Sequence, residues 1–153
     1  MHRTVVVFLS NPKGSWTGGR AAATDGPEST PDSKRLKVLV VDDERDLADL
    51  TVELLRTYRV DALAAYSGRH ALRLLQDDIT ITAVFSDVMM PEMTGLDLAR
   101  VIADRYPRVS VLLTSGYMFP EVLSEDNRFV SFVRKPYRIE TVLALLRDAP
   151  SSQ

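Results

Sequence analysis

Five short apolar runs, each followed by polar groups and then by a more open stretch, constrain this chain more than any other feature. The runs are Lys37–Val41, Val60–Ala65, Ile81–Ser86, Val109–Leu113 and Phe129–Val133. Each is too short for a stable helix and is closed by turn-forming or charged residues, so each reads as a strand. The stretches between them change period. Asp46–Tyr58 carries Leu47, Leu50, Leu54 and Leu55 at helical spacing, the mark of an amphipathic helix. Ser67-Gly68 opens a second helix with Ala71, Leu72 and Leu75 inward. Gly95-Leu96-Asp97 opens a third, with Leu98, Val101 and Ile102 on one stripe and an end near Tyr106-Pro107. Within residues 117–127, Pro120 suits the first turn of a short helix over Glu121 to Ser124. The last helix spans Arg138–Asp148, with Ile139, Val142, Leu143 and Leu146 inward. Strand then helix, repeated in this way, predicts an α/β domain with a parallel sheet, helices on both faces and right-handed crossovers. The expected strand order is 2-1-3-4-5, with a switch point between the first and third strands.

Composition sets outer limits. A chain of 153 residues, 45% hydrophobic, is long enough for one domain with a sizeable core. The net charge of −2 gives no reason to expect nucleic-acid binding. Residues 1–35 carry five Lys/Arg against three Asp/Glu, while 36–153 carry fourteen against eighteen. Without cysteine there is no disulfide framework and no thiolate site, which suits a cytoplasmic protein. No apolar stretch approaches the ~20 residues a membrane span needs. Thr4–Leu9 is apolar but stops at Ser10-Asn11-Pro12, so a secretory leader is not expected. Residues 10–35 are rich in Gly, Pro, Ser, Thr and Asp, a composition that buries too little to order itself. The expected organisation is therefore a disordered tail or linker over 1–35, a domain over 36–149 and a frayed end at 150–153.

Ligands in open α/β sheets bind at the carboxyl ends of the strands. Asp42 and Asp43, Asp87, Thr114 and Lys135 all fall at such ends. Three converging carboxylates repel, and they ionise together only around a cation. A donor set of oxygens without His or Cys suits Mg²⁺, with Mn²⁺ as a substitute. A carboxylate is also a nucleophile toward phosphorus. Phosphorylation of Asp87 would add charge that the Lys135 ammonium and the Thr114 hydroxyl could meet. Singly, each residue has a plainer role. Asp43 suits a helix N-cap, Asp87 a turn former, Thr114 a turn hydroxyl and Lys135-Pro136 a solvated turn. Their joint arrival at one sheet edge favours phosphoryl transfer.

Four segments carry a resemblance. They are Val40-Val41-Asp42-Asp43-Glu44, Ser86-Asp87-Val88-Met89-Met90-Pro91-Glu92-Met93-Thr94-Gly95, Leu113-Thr114-Ser115-Gly116-Tyr117 and Arg134-Lys135-Pro136-Tyr137. With them, residues 37–148 resemble a receiver domain of the bacterial two-component response regulators. The resemblance implies a flavodoxin-like (βα)5 fold and a phosphorylation-switched module rather than an enzyme. It implies Asp87 as phospho-acceptor and a Mg²⁺ site on Asp42, Asp43, Asp87 and the backbone carbonyl of Met89. Thr114 and Lys135 would bind the phosphoryl group. Phe132 stands where the family keeps a switch aromatic, although an ordinary strand residue would fit there equally. The implied partners are a histidine kinase or a histidine phosphotransfer protein, then a downstream protein or a second copy of the chain. Neither DNA nor a membrane is expected as a direct partner. The region 117–127 is short for a full helix. With no effector domain in view, the expected form is a stand-alone receiver.

Three alternatives compete. A Mg²⁺-dependent hydrolase of the haloacid-dehalogenase type also uses an aspartyl nucleophile. It normally needs a second Asp two residues on, where this chain has Met89, and a thioether cannot move a proton. A flavodoxin-like flavin carrier needs a phosphate loop after the first strand, where Asp42-Asp43-Glu44 would repel phosphate. A receiver cut from a hybrid kinase would carry the same site residues.

Overall fold

The structure, a computed structural model, describes residues 7–8, 35–117 and 130–148. Its elements in chain order are β1 (Val7–Phe8), β2 (Lys37–Val41), α1 (Arg45–Thr57), β3 (Asp61–Ala65), α2 (Gly68–Asp77), β4 (Ala83–Asp87), α3 (Gly95–Arg105), β5 (Ser110–Ser115), β6 (Val130–Arg134) and α4 (Ile139–Asp148). The strands form one parallel sheet in the order β1-β6-β5-β4-β2-β3. Setting the two-residue β1 aside, β2 to β6 stand in the expected 2-1-3-4-5 order. The short helix expected over 121–124 lies outside the described residues.

Burial on both faces explains why the strands read as continuous apolar runs. Alternate residues of β2 split between two cores, Val38 and Val40 on one side, Leu39 and Val41 on the other. The first core takes α1 and α4, through Ala48, Val52, Leu55, Val142 and Leu146. The second takes α2 and α3, through Ala71, Leu75, Leu98 and Ile102. The large side chains Phe132, Leu39, Leu55, Leu98 and Ile102 are fully buried, each stabilising the fold by about 1.5–3 kcal/mol relative to exposure.

Local chemistry sets the helix starts. Ser67 caps α2, accepting from the His70 amide at 3.1 Å. Thr94 and Asp97 form a reciprocal capping box on α3. Where α1 begins, Glu44 occupies the N-cap position without a side-chain bond, so the capping role considered for Asp43 is not realised.

Two differences from the sequence reading matter. In α1 the buried residues are Ala48, Val52 and Leu55, while Leu47, Leu50 and Leu54 lie exposed. The inward face is narrower and built on a small residue, so the leucine periodicity marks a solvent-facing stripe as much as a core. Second, Val7–Phe8, assigned to the tail, pair in parallel with Phe132 and Val133 at the sheet edge. Among the described residues no helix is long and apolar enough to cross a membrane.

Candidate functional site

The site lies at the carboxyl ends of β2, β4, β5 and β6. Val41 pairs with Ser86, and Asp87 pairs with Thr114, so the sheet itself sets Asp42, Asp87 and Thr114 side by side. Asp87 is the hub. Its Oδ2 accepts from the Lys135 ammonium at 3.0 Å and its Oδ1 from the Met89 amide at 3.0 Å. Its side chain is only 15% exposed. The Val88 amide donates to the Thr114 carbonyl at 3.0 Å, and the Lys135 amide to the Ser115 carbonyl at 2.9 Å. These bonds fix the two loops that carry the acid and the cation.

The loop after Asp87 is tightly folded. The Met93 amide donates to the Pro91 carbonyl across Glu92, whose φ is +66°. Such a positive-φ three-residue turn is uncommon for a residue with a side chain. Gly95 then returns the chain, its amide donating to the Val88 carbonyl at 2.9 Å.

Among the three acids, Asp42 carries an electrostatic burden. Burial pushes the Asp42 carboxyl above its ordinary pKa. The Glu44 amide, which donates to Asp42 Oδ1 at 2.9 Å, opposes this. The charges of Asp87 and Asp43 add to the rise, and Lys135 partly offsets them. Asp43 itself is exposed. Burial alone would lower the Lys135 ammonium, but its bond to Asp87 and the charges of Asp87 and Asp42 outweigh that, so its pKa is raised. Among the described residues no group of three or more His, Cys, Asp or Glu side chains encloses a ready metal position.

Thr114 is 4% exposed, and its buried hydroxyl has no hydrogen-bond partner among the described residues. Orphaned buried hydroxyls are uncommon and point to a missing acceptor. Phe132, one strand away on β6, is 2% exposed and packed in the core shared with α2 and α3.

Sequence reasoning assigned no role to Thr51 and Tyr137. With Asp42, Leu47, Lys135 and Pro136 they line a cavity of about 460 Å³ beside the site. Tyr137 packs edge-on against Phe85 at 5.4 Å. Burial raises its hydroxyl pKa, against a bond with Thr51 that lowers it. The quoted run ending in Tyr137 held the signal, but nothing in sequence spacing brings Thr51 to it.

Residues 38–147 match the family model of the response regulator receiver domain. The transcriptional regulatory protein CpxR of Escherichia coli (strain K12) is 31% identical over 112 residues, covering 72% of this chain and 47% of CpxR. The chain thus spans about half the length of that relative. A receiver domain protein from Clostridium thermocellum superposes with a TM-score of 0.69 at 26% identity, covering 74% of this chain and 93% of that one. The receiver domain of the hybrid histidine kinase CckA gives 0.61 at 27% identity, covering 74% and 97%.

Proposed function

Since the chain belongs to the response regulator receiver domain family of two-component signalling, we propose that Asp87 accepts a phosphoryl group and that the chain switches protein contacts when it does. The observation that carries this reading is the pairing of Asp87 with Lys135 at 3.0 Å beside the unpartnered Thr114 hydroxyl. A carboxylate oxygen of Asp87 attacks phosphorus as the bond from phosphorus to the donor's histidine nitrogen breaks. The imidazole leaves with that electron pair. Lys135 offsets the charge that accumulates, and Thr114 gains the acceptor it lacks.

The acidic set fits a hard cation. Burial first, and then the charges of Asp87 and Asp43, hold the Asp42 carboxyl above its ordinary pKa, and a cation would offset the repulsion. Mg²⁺ needs only one or two carboxylates and keeps several waters, so a closed cage of acids is not required. Asp42, Asp43, Asp87 and the Met89 carbonyl would hold it. Bound there, it would neutralise phosphoryl oxygens.

Receiver domains take their phosphoryl group from histidine kinases or phosphotransfer proteins. The α1 surface offers such a partner an anchor. Leu47, Leu50, Leu54 and Tyr58 are 41%, 65%, 40% and 40% exposed, a continuous apolar stripe at helical spacing that begins beside the Asp42 cavity. Contiguous exposed apolar surface of this kind marks an interaction face.

Intact-mass measurement after incubation with acetyl phosphate tests the assignment. One phosphoryl group is expected, dependent on Mg²⁺ and abolished by EDTA. Equal labelling of Asp87→Asn would remove Asp87 from its role.

A further inference from the structure

At the opposite end of the sheet lies a cavity of about 600 Å³ that the phospho-acceptor reading does not use. Its walls are the turn from α2 into β4 and the turn from α3 into β5. Both turns are held by their own bonds. The Thr80 amide donates to Asp78 Oδ1 at 2.9 Å, and the Val109 amide to the Tyr106 carbonyl at 2.9 Å. The Ser110 amide donates to the Thr82 carbonyl at 3.1 Å and ties one turn to the other. The cavity is therefore preformed, and its volume is in the range of small-molecule sites.

Its lining is of two kinds. Leu75 and Ile81 are buried beneath it, and Tyr106 and Val109 pack against the same core. Ile79 stands at the rim with 94% of its surface exposed, an unusual position for a large aliphatic side chain. Around this apolar floor stand Arg35, Arg105 and Arg108. Among the described residues none of the three has an ion-pair partner. The one acid in the lining, Asp78, is already committed. Lys37 approaches it at 2.7 Å, and the bonds to Lys37 and Thr80 hold its pKa down at about 2. Among the described residues, the rim therefore presents guanidinium groups that no acid pairs. Arg105 in the last turn of α3 also complements that helix's carbonyl end, a role that Arg35 and Arg108 do not share.

We infer that the cavity bounded by Ile79, Tyr106, Arg105 and Arg108 binds a small organic anion with an apolar or aromatic body. Guanidinium forks match carboxylate and phosphate in a planar, bidentate manner. The apolar floor and the Tyr106 ring receive the rest of the molecule, and Ile79 loses its exposure. A strand of five residues separates this cavity from Asp87, roughly 15 Å. The ligand would not touch the acceptor, and its binding stands or falls independently of phosphorylation.

Amide shift titrations of the full chain at constant ionic strength test the inference. Adenosine monophosphate and phenylacetate serve as the phosphate-bearing and carboxylate-bearing probes. Saturable shifts on residues 79–82 and 105–109 with either probe support it and identify the anion class. Arg105→Glu with Arg108→Glu should weaken that binding about tenfold or more, while acetyl phosphate labelling at Asp87 stays unchanged. Should that double variant fail to fold, Ile79→Asp, a change at a fully exposed side chain, should weaken binding through the apolar rim. No saturation with either probe would overturn the inference. So would identical shifts from inorganic phosphate alone, or undiminished binding by the folded variants.

Discussion

Replacing Gly95 by alanine tests how rigidly Asp87 is held. A Cβ at Gly95 would lie 2.2 Å from the Asp87 carbonyl oxygen, 2.9 Å from its carbonyl carbon and 3.0 Å from the Val88 Cα. All three are backbone atoms, so no rotamer change relieves the overlap. Neither partner yields easily. All but the last residue of β4 is buried, and α3 is anchored by Leu96, Leu98, Ala99 and Ile102. Overpacking costs about 1–3 kcal/mol, and a backbone overlap belongs at the upper end. Alanine returns less than about 1 kcal/mol of helix propensity, because the position opens the helix. A net loss of about 2 kcal/mol follows, or roughly 8 °C in melting midpoint for a domain of this size. Gly116 supplies the control, since a Cβ there meets nothing within 4 Å. Gly116→Ala should melt within about 0.5 kcal/mol of the parent. Circular dichroism melts measure both. Labelling by acetyl phosphate should slow in Gly95→Ala, because the displaced peptide belongs to Asp87 itself. If Gly95→Ala melts and labels like the parent, the close approach does not constrain the site.

Three further outcomes are expected. Asp42→Asn should leave the metal-free fold as stable as the parent or more so, because the raised pKa of Asp42 means the charged form is disfavoured in the folded state; a loss of about 1 kcal/mol or more in a metal-free melt would instead indicate a capping role. Asp78, with its pKa held at about 2 by Lys37 and Thr80, contributes stability above the ordinary carboxylate range that is lost as pH falls toward 2. The stability gap between parent and Asp78→Asn in urea titrations should therefore close between about pH 4 and pH 2, and a gap constant over that window would contradict the linkage. Thr114→Val should stabilise the unphosphorylated protein by about 1 kcal/mol, because an unsatisfied buried hydroxyl costs about 1–3 kcal/mol; the same variant should lose the amide shifts that a beryllofluoride phosphate mimic induces around β5 and β6.

The strand order and the last helix were legible because buried parallel strands and a full apolar stripe leave strong periodic signals. Ile139, Val142, Leu143 and Leu146 are all buried as expected. The inward face of α1 was not legible from its leucines. Hydropathy alone cannot tell a leucine that fills a core from one held at a surface, and Ala48, which lets the helix approach the sheet, carries little weight in such a pattern. The site acids and Lys135 could be located because strand ends are marked by abrupt changes of polarity. The direct Asp87–Lys135 bond and the orphaned Thr114 hydroxyl could not, since both depend on distances between strands distant in sequence. The β1 pairing rests on a free sheet edge, and the basic cavity on two turns brought together by neighbouring strands. Neither leaves a local signature.

The site holds two unmet demands, one that a cation would answer and one that an added acceptor oxygen would answer. Asp42 carries a carboxylate whose ionisation is opposed by burial and by Asp87 and Asp43. Thr114 carries a buried donor without an acceptor. Each is a local cost in this structure, and each is set by the sheet register rather than by a mobile surface group. A ligand shifts a conformational equilibrium only by its differential affinity for the two states. A cation beside Asp42 and a phosphoryl oxygen beside Thr114 would relieve costs that already exist, so the differential does not have to come entirely from new contacts. The relief at Thr114 alone, about 1–3 kcal/mol, is of the size that typically couples one site to another. Thr114 pairs in register with Val133 on β6, while Phe132, the preceding β6 residue, pairs with Leu113 and faces the opposite core. A phosphate mimic should therefore be followed first at Val133, the register partner of Thr114, and then at the Phe132 ring on the other face of β6; shifts confined to the loop around Asp87 would show that β6 does not respond.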